Sequence, residues 1–180
     1  MTSTAQSGSA DKKERKTAAL LGGVCLFLSA LEYMIPKPLP FLRIGIANAP
    51  ILLGLDLLSL KYFSALTLIK LFGQAIISGT LVSYVFLFSF AGAGASAGIM
   101  YLLRRLLGAE RISYIGVSTA GAFVSNGVQL ILARFFIFGE GVRFLTPPFL
   151  GAGLISGVAL GLFCETFALR SRWYQERRSA

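Results

Sequence analysis

The sequence predicts an all-α integral membrane protein, a six-helix transmembrane bundle with both termini cytoplasmic. Three observations predict it. First, 55% of the 180 residues are hydrophobic and only 14% charged, whereas a soluble domain carries about a quarter charged residues. Mean hydropathy is +0.72, and lipid is the natural solvent for so much apolar surface. Second, the apolar residues fall into runs at 17–34, 43–59, 62–80, 81–103, 112–136 and 147–169, and six spans of about 20 residues each use about 120 residues. Third, the basic residues are sorted. With the N-terminus inside, Lys12, Lys13, Arg15, Lys16, Lys61, Arg104, Arg105, Arg111, Arg170, Arg172, Arg177 and Arg178 are cytoplasmic, against Lys37, Arg43 and Arg143 outside. That bias follows the positive-inside rule and requires an even number of spans, because both tails are basic.

Residues 1–16 form a polar, charged stretch and are expected to be a disordered cytoplasmic tail. A basic stretch before an apolar run also opens a signal peptide, but the first run ends on Glu32 and a Pro-rich loop with no small-residue cleavage site, so a retained helix is expected. The second and third runs are short, separated by Ser59 to Lys61, and are expected to be tilted or partly re-entrant. Pro50 is expected to kink the second. The membrane domain occupies 17–169, and 170–180 is a basic cytoplasmic tail.

Small residues repeat at helical spacing in Gly153/Gly157/Gly161, Gly94/Gly98, Ala18/Gly22 and Ala19/Gly23. This spacing lets helix backbones approach closely in lipid. It fits packing within the chain or docking on another membrane subunit, and Ala18, Ala19, Gly22 and Gly23 are the candidate docking face.

Charges within or bordering the runs are Glu32, Arg43, Asp56, Lys70, Arg134 and Glu165. Intramembrane charges are costly and usually face an interior. Asp56 and Glu165 lie near cytoplasmic ends, where Lys61 and Arg170 are available partners. Lys70 lies mid-run, on one helical face with Thr67, Gln74 and Ser78. The fifth run offers Ser118, Ser125, Asn126 and Gln129, and the second offers Asn48. These faces either converge on a polar cavity or only bond helices together. The candidate ligand-binding set is Glu32, Arg43, Asn48, Lys70, Gln74, Ser118, Asn126 and Gln129. The stiff segment 35–43, with Pro36, Pro38 and Pro40, is either a connector or the rim of an entrance above the cavity.

Several function classes recede. The chain has no His, so it lacks the commonest acid–base group and metal ligand. Asp occurs only at positions 11 and 56, which leaves no Asp-rich cluster to hold Mg²⁺ on a diphosphate. No phosphate-cradling loop of the Gly-rich, Lys-Ser/Thr type is present. Cys25 and Cys164 lie in apolar runs and read as small buried hydrophobes. A net charge of +9 is explained by the ends of the spans, so no nucleic-acid partner is expected. The chain is expected not to be an enzyme and to hold no cofactor or metal.

The stretch Ile115-Gly116-Val117-Ser118-Thr119-Ala120-Gly121-Ala122-Phe123-Val124-Ser125-Asn126-Gly127-Val128-Gln129 carries a resemblance, together with Ser89-Phe90-Ala91-Gly92 and Arg43-Ile44-Gly45-Ile46-Ala47-Asn48. Over about residues 17–170 the chain resembles the Gx transporter family, often labelled heptaprenyl diphosphate synthase component I. That family is similar in architecture to the S components of energy-coupling factor transporters. By this resemblance Glu32, Pro36, Asn48, Ser89, Gly92, Gly116, Ser118, Gly121, Asn126 and Gln129 occupy motif positions. Arg43 stands where the family commonly has Lys, and Ser125 where it commonly has His. The resemblance implies an S-component-like subunit of the inner membrane that binds a small molecule, such as a flavin or another vitamin-like redox-cofactor precursor, for uptake. Its partners would be a separate membrane scaffold and ATPases. The alternative it implies is a non-catalytic accessory subunit of an isoprenoid or redox system.

Overall fold

Backbone N–H and C=O groups in lipid have no water to bond, which favours helices over open strands. Every regular element among the described residues is helical. The computed structural model describes the backbone of residues 2–35 and 45–178 and the side chains of residues 11–35 and 45–178. Helix α1 (Thr2–Met34) is followed by a 3-10 turn (Ile46–Asn48) and the short α2 (Ala49–Gly54). Then come α3 (Leu60–Ile77), α4 (Tyr84–Leu107), α5 (Tyr114–Ala133), α6 (Val142–Arg170) and α7 (Arg172–Arg178). A π-helical turn (Arg134–Phe138) and a 3-10 turn (Gly139–Gly141) join α5 to α6.

The starts and stops are local chemistry. Ser83 Oγ accepts from the Val85 N–H and Ser113 Oγ from the Gly116 N–H, capping donors that a helix start leaves free. Gly108 ends α4 at φ 75°, a conformation that suits glycine.

Four helical stretches are long and apolar enough to cross a membrane: Asp11–Met34, Leu60–Ile77, Tyr84–Leu107 and the 57-residue Tyr114–Arg170. The last contains α5 and α6, which fold back on each other. Gly153 packs on Asn126, Gly157 on Ala122 and Gly161 on Ile115, so numbers rise along one helix as they fall along the other. The outward surface carries Phe27, Ile76, Phe135, Phe144 and Ile155, all more than 60% exposed. An apolar coat of that extent suits lipid and not water.

Helices α1 and α3 run parallel, since Gly22 packs on Leu66 and Ile69, and Leu26 packs on Gly73. The chain must therefore return between them, and the return is the second apolar run. Of its expected span 43–59, residues 45–59 are described, and they hold only the 3-10 turn and the six-residue α2. One end of the return lies beside Glu32 and the other beside Glu14 of α1. Residues Ala47 and Ala49 to Leu55 are all buried. Pro50 stands in the first turn of α2, where it needs no N–H donor, so it starts a short helix instead of kinking a long one.

Two expectations at the termini differ from the structure. The polar segment 1–16 is helical from Thr2 onward, continuous with the first span. Glu14 accepts from the Ser59 N–H at 3.0 Å and from its hydroxyl at 2.6 Å, and Asp11 accepts from Tyr62 Oη at 2.7 Å. These bonds tie the segment to the start of α3. At the other terminus, α7 turns back so that Tyr174 is buried under the bundle. The alternating prolines and Arg43 lie outside the described residues.

Candidate functional site

A cavity of about 70 Å³ lies in the core and draws its wall from five segments. Asn48 comes from the broken return, Lys70 from α3, Ser89 and Ser96 from α4, Ser118, Ser125, Asn126 and Gln129 from α5, and Ser156 from α6. Lys70 is 4% exposed although it sits midway along an apolar helix. Its Nζ donates to Asn48 Oδ1 at 2.7 Å. Asn126 Nδ2 donates to the Phe149 carbonyl at 3.0 Å, and Gln129 Nε2 to Ser125 Oγ at 3.0 Å.

Asn48 reaches the cavity because the return is broken there. Gly45 adopts φ 85°, which a side chain would oppose. Glu32, 1% exposed, holds this break from α1: Oε1 accepts from the Gly45 N–H at 3.1 Å and Oε2 from the Ala47 N–H at 3.4 Å. Carbonyls along the return are taken up by side chains of other helices. Cys25 Sγ donates to Ala47 O, Cys164 Sγ to Ala49 O, and Tyr174 Oη to Leu53 O. Both cysteines are thus fully buried, as expected, and also hydrogen-bonded to an irregular backbone.

Of the sequence-derived ligand set, the structure brings Asn48, Lys70, Ser118, Asn126 and Gln129 to one cavity. Glu32 supports the wall from behind. Gln74 is buried away from the described lining, and its Oε1 has no hydrogen-bond partner among the described residues. Arg43 lies outside the described residues. The wall also holds Ser89, Ser96, Ser125 and Ser156, which are not in the set. The α4 signal was available, since Ser89, Ala93, Ser96 and Met100 repeat at i, i+4, i+7 and i+11, a single helix face.

A second polar cluster closes the opposite end. Asp56, in the turn after α2, accepts from Arg104 Nε at 2.7 Å, Arg104 Nη2 at 2.6 Å and Tyr114 Oη at 2.7 Å. Tyr114 and Tyr174 share a further hydrogen bond. Arg104 Nη1 donates to the Ile112 carbonyl, so each of the three guanidinium nitrogens makes a hydrogen bond. Asp56 therefore pairs with Arg104 and more distantly with Arg178, 3.9 Å away, while Lys61 is one of the partners that the sequence offers it. Burial pushes the Asp56 carboxyl up, but the hydrogen bonds from Arg104 and Tyr114 outweigh it and hold the group below its usual range. Burial pushes the Tyr174 hydroxyl up to about 12. Arg134 pairs with Glu140 at 2.5 Å on the surface, and neither it nor Glu165 lines the described cavity wall.

The small-residue stripes separate by environment. A Cβ at Gly161 would stand 2.5 Å from Ile115 Cα, and one at Gly157 3.0 Å from Ala122 Cβ, so the α6 stripe is the seat of α5. In the candidate docking face, Ala18 and Gly22 are buried, with Gly22 against α3, whereas Ala19 and Gly23 are exposed.

Fold and site together define a helical protein with stretches fit to cross a membrane and a polar cavity enclosed between them. The chain belongs to the heptaprenyl diphosphate synthase component I family, whose model matches residues 21–167. No curated protein and no solved structure matches it.

Proposed function

We propose that this chain is a non-catalytic binding subunit of the inner membrane that takes a small polar molecule into the Asn48–Lys70 cavity for uptake. In this reading the chain crosses the bilayer six times, with the broken return as the second crossing and both termini in the cytoplasm. The observation that carries the reading is the burial of Lys70 in an apolar helix with its ammonium on a polar cavity. A full charge there is expensive, and a role confined to packing does not require one. Transport would be driven by a separate membrane scaffold and ATPases, in the manner of S components.

The size of the cavity constrains the ligand. At about 70 Å³ it accommodates about five waters, against the 300 Å³ or more usual for a cofactor-sized ligand. A flavin would enter only if a wall moved. A smaller polar molecule fits with less rearrangement.

The family's name favours a second reading, an accessory membrane subunit of a heptaprenyl diphosphate synthase. Among the described residues no group of three or more His, Cys, Asp or Glu is placed to hold a metal ion. Within that reading the chain assists a catalytic partner and does not itself transfer prenyl groups.

Mass spectrometry of small molecules released from the purified protein tests the first reading. A polar compound retained near one-to-one supports it. Copurification separates the two: an ATPase pair fits uptake, and a prenyl synthase with an empty cavity overturns it.

A further inference from the structure

Two depressions meet on the α3–α4 side of the bundle, and neither shares a lining residue with the cavity. One is an apolar groove of about 630 Å³ between these helices, with Gly94, Ala97 and Gly98 among its lining residues. A Cβ added at Gly94 or Gly98 meets nothing within 4 Å. This small-residue face is therefore unfilled, unlike the stripe on α6. The other is a polar cleft of about 440 Å³ at the Asp56 end, with Glu14, Arg105 and Arg178 on its walls. Arg105 lines both depressions, and the chain passes from one to the other between Ser59 and Leu60.

We propose that this joined surface binds one glycerophospholipid with a monoanionic head, its phosphodiester on Arg105 and Arg178 and one acyl chain in the groove. Charge selects the head. The cleft's charged lining is Glu14, Asp56, Arg104, Arg105 and Arg178, one net positive, and Asp56 is bonded chiefly to Arg104 with Arg178 3.9 Å away. A phosphodiester carries one negative charge and matches. A prenyl diphosphate carries more and does not. The side chain of Arg178 is half exposed, and Arg105 is exposed with its Nε on Tyr101 Oη at 3.1 Å, so both can turn to a phosphate.

Position selects the source. Tyr62 and Tyr101 flank Lys61 and Arg105 at this end, the arrangement of residues at a membrane–water interface. From Leu60 to Leu71 the groove follows α3 for about 16 Å, which is about half of a hydrocarbon core ~30 Å thick. That is the depth of one leaflet and the reach of one acyl chain.

The test uses the full chain in nanodiscs of phosphatidylcholine containing a minority of phosphatidylglycerol, with bound lipids counted by native mass spectrometry. One phosphatidylglycerol should stay with each protein, enriched about fivefold over its bilayer share for each surface Arg that holds it. Arg105→Gln should erase the preference for the anionic head while a lipid stays bound. Gly98→Leu should fill the groove and release the lipid altogether. Both residues are exposed, and thermal unfolding verifies that the variants are folded. A wild-type protein that holds the two lipids in their bilayer ratio overturns the proposal. Recovery of an isoprenoid diphosphate in their place also overturns it. The groove shares no lining residue with the cavity, so lipid retention is read separately from the binding of a ligand at Lys70.

Discussion

The broken return between α1 and α3 carries a polar residue at each end, and the two ends are built differently. At Asp56 every strong donor is matched: two guanidinium nitrogens and a phenol converge on one carboxylate, and the third guanidinium nitrogen finds a carbonyl. At Asn48 the side chain meets Lys70 beside open volume, and the surrounding wall mixes serine hydroxyls and amides with Gly, Ala, Leu and Met. The first arrangement spends its charges on each other, and the polar cleft beside it offers a ligand only the outlying Arg105 and Arg178. The second has room and adaptable partners. A buried network without gaps fixes helices relative to one another, whereas one with a gap offers hydrogen bonds to a newcomer. The same short segment joins both, so the position of the cavity wall depends on the closed end.

The comparison breaks most easily at Asp56. Asp56→Ala leaves Arg104 buried without its partner, and removal of one member of a buried pair costs about 3–5 kcal/mol. Thermal unfolding in detergent should show the largest loss of any variant named here, and a loss below about 1 kcal/mol would mean that the network does not hold the bundle. The pH dependence has a definite sign. The folded carboxyl is held below its unfolded value, so its contribution is present above the unfolded pKa of about 4 and is lost as pH falls through the folded value.

The next effect is one of volume. Gly161→Ala places a methyl against the α5 backbone at Ile115, which cannot yield as a flexible side chain would. Overpacking of this kind costs about 1–3 kcal/mol. The same change at Gly94 or Gly98, where nothing stands within 4 Å, should cost far less. Equal losses at Gly161 and Gly94 would contradict the assignment of one stripe to packing and the other to open surface.

At the cavity the expected loss is in affinity. Lys70→Ala and Asn126→Ala should each weaken ligand binding at least about tenfold, or about 1.4 kcal/mol, measured by uptake into cells or titration of the purified protein. Uptake that survives both changes would remove the cavity from the mechanism. Asp56→Ala removes no group of the cavity wall, so it should weaken binding less than Lys70→Ala does, through lost stability and through the loosened return that carries Asn48.

Much of this arrangement was legible beforehand, for identifiable reasons. Long apolar runs at 62–80, 81–103 and 112–136 became α3, α4 and α5 because nothing in them competes with helix. Five of the eight candidate ligand residues meet because polar side chains on apolar helices are driven to a common interior. The run 43–59 reads as a longer span because hydropathy counts residues and cannot see Glu32 holding an irregular backbone at Gly45 and Ala47 by accepting from their N–H groups, thirteen and fifteen positions away. The sequence offers Asp56 only nearby Lys61 or snorkelling for the same reason: Arg104, forty-eight positions away, is a neighbour only once α4 runs back to the Asp56 end. Ser89, a motif position by resemblance, and Ser96 stand outside the candidate ligand set because hydroxyls scattered among Ala and Gly carry little hydropathy signal.

The smallest expected effect separates the two edges of the first helix. Gly22 faces Leu66 and Ile69 of α3, whereas Gly23 meets nothing within 4 Å. Gly23→Leu should therefore change stability by no more than about 0.5 kcal/mol, while Gly22→Leu should destabilise by overpacking. The pair distinguishes the two roles offered by one stretch of small residues. If Ala19 and Gly23 form the face that meets a membrane partner, Gly23→Leu should leave the purified protein intact and reduce recovery of that partner. If Gly23→Leu copurifies with its partners as wild type does, the exposed edge of α1 meets only lipid, and docking belongs to another surface of the bundle.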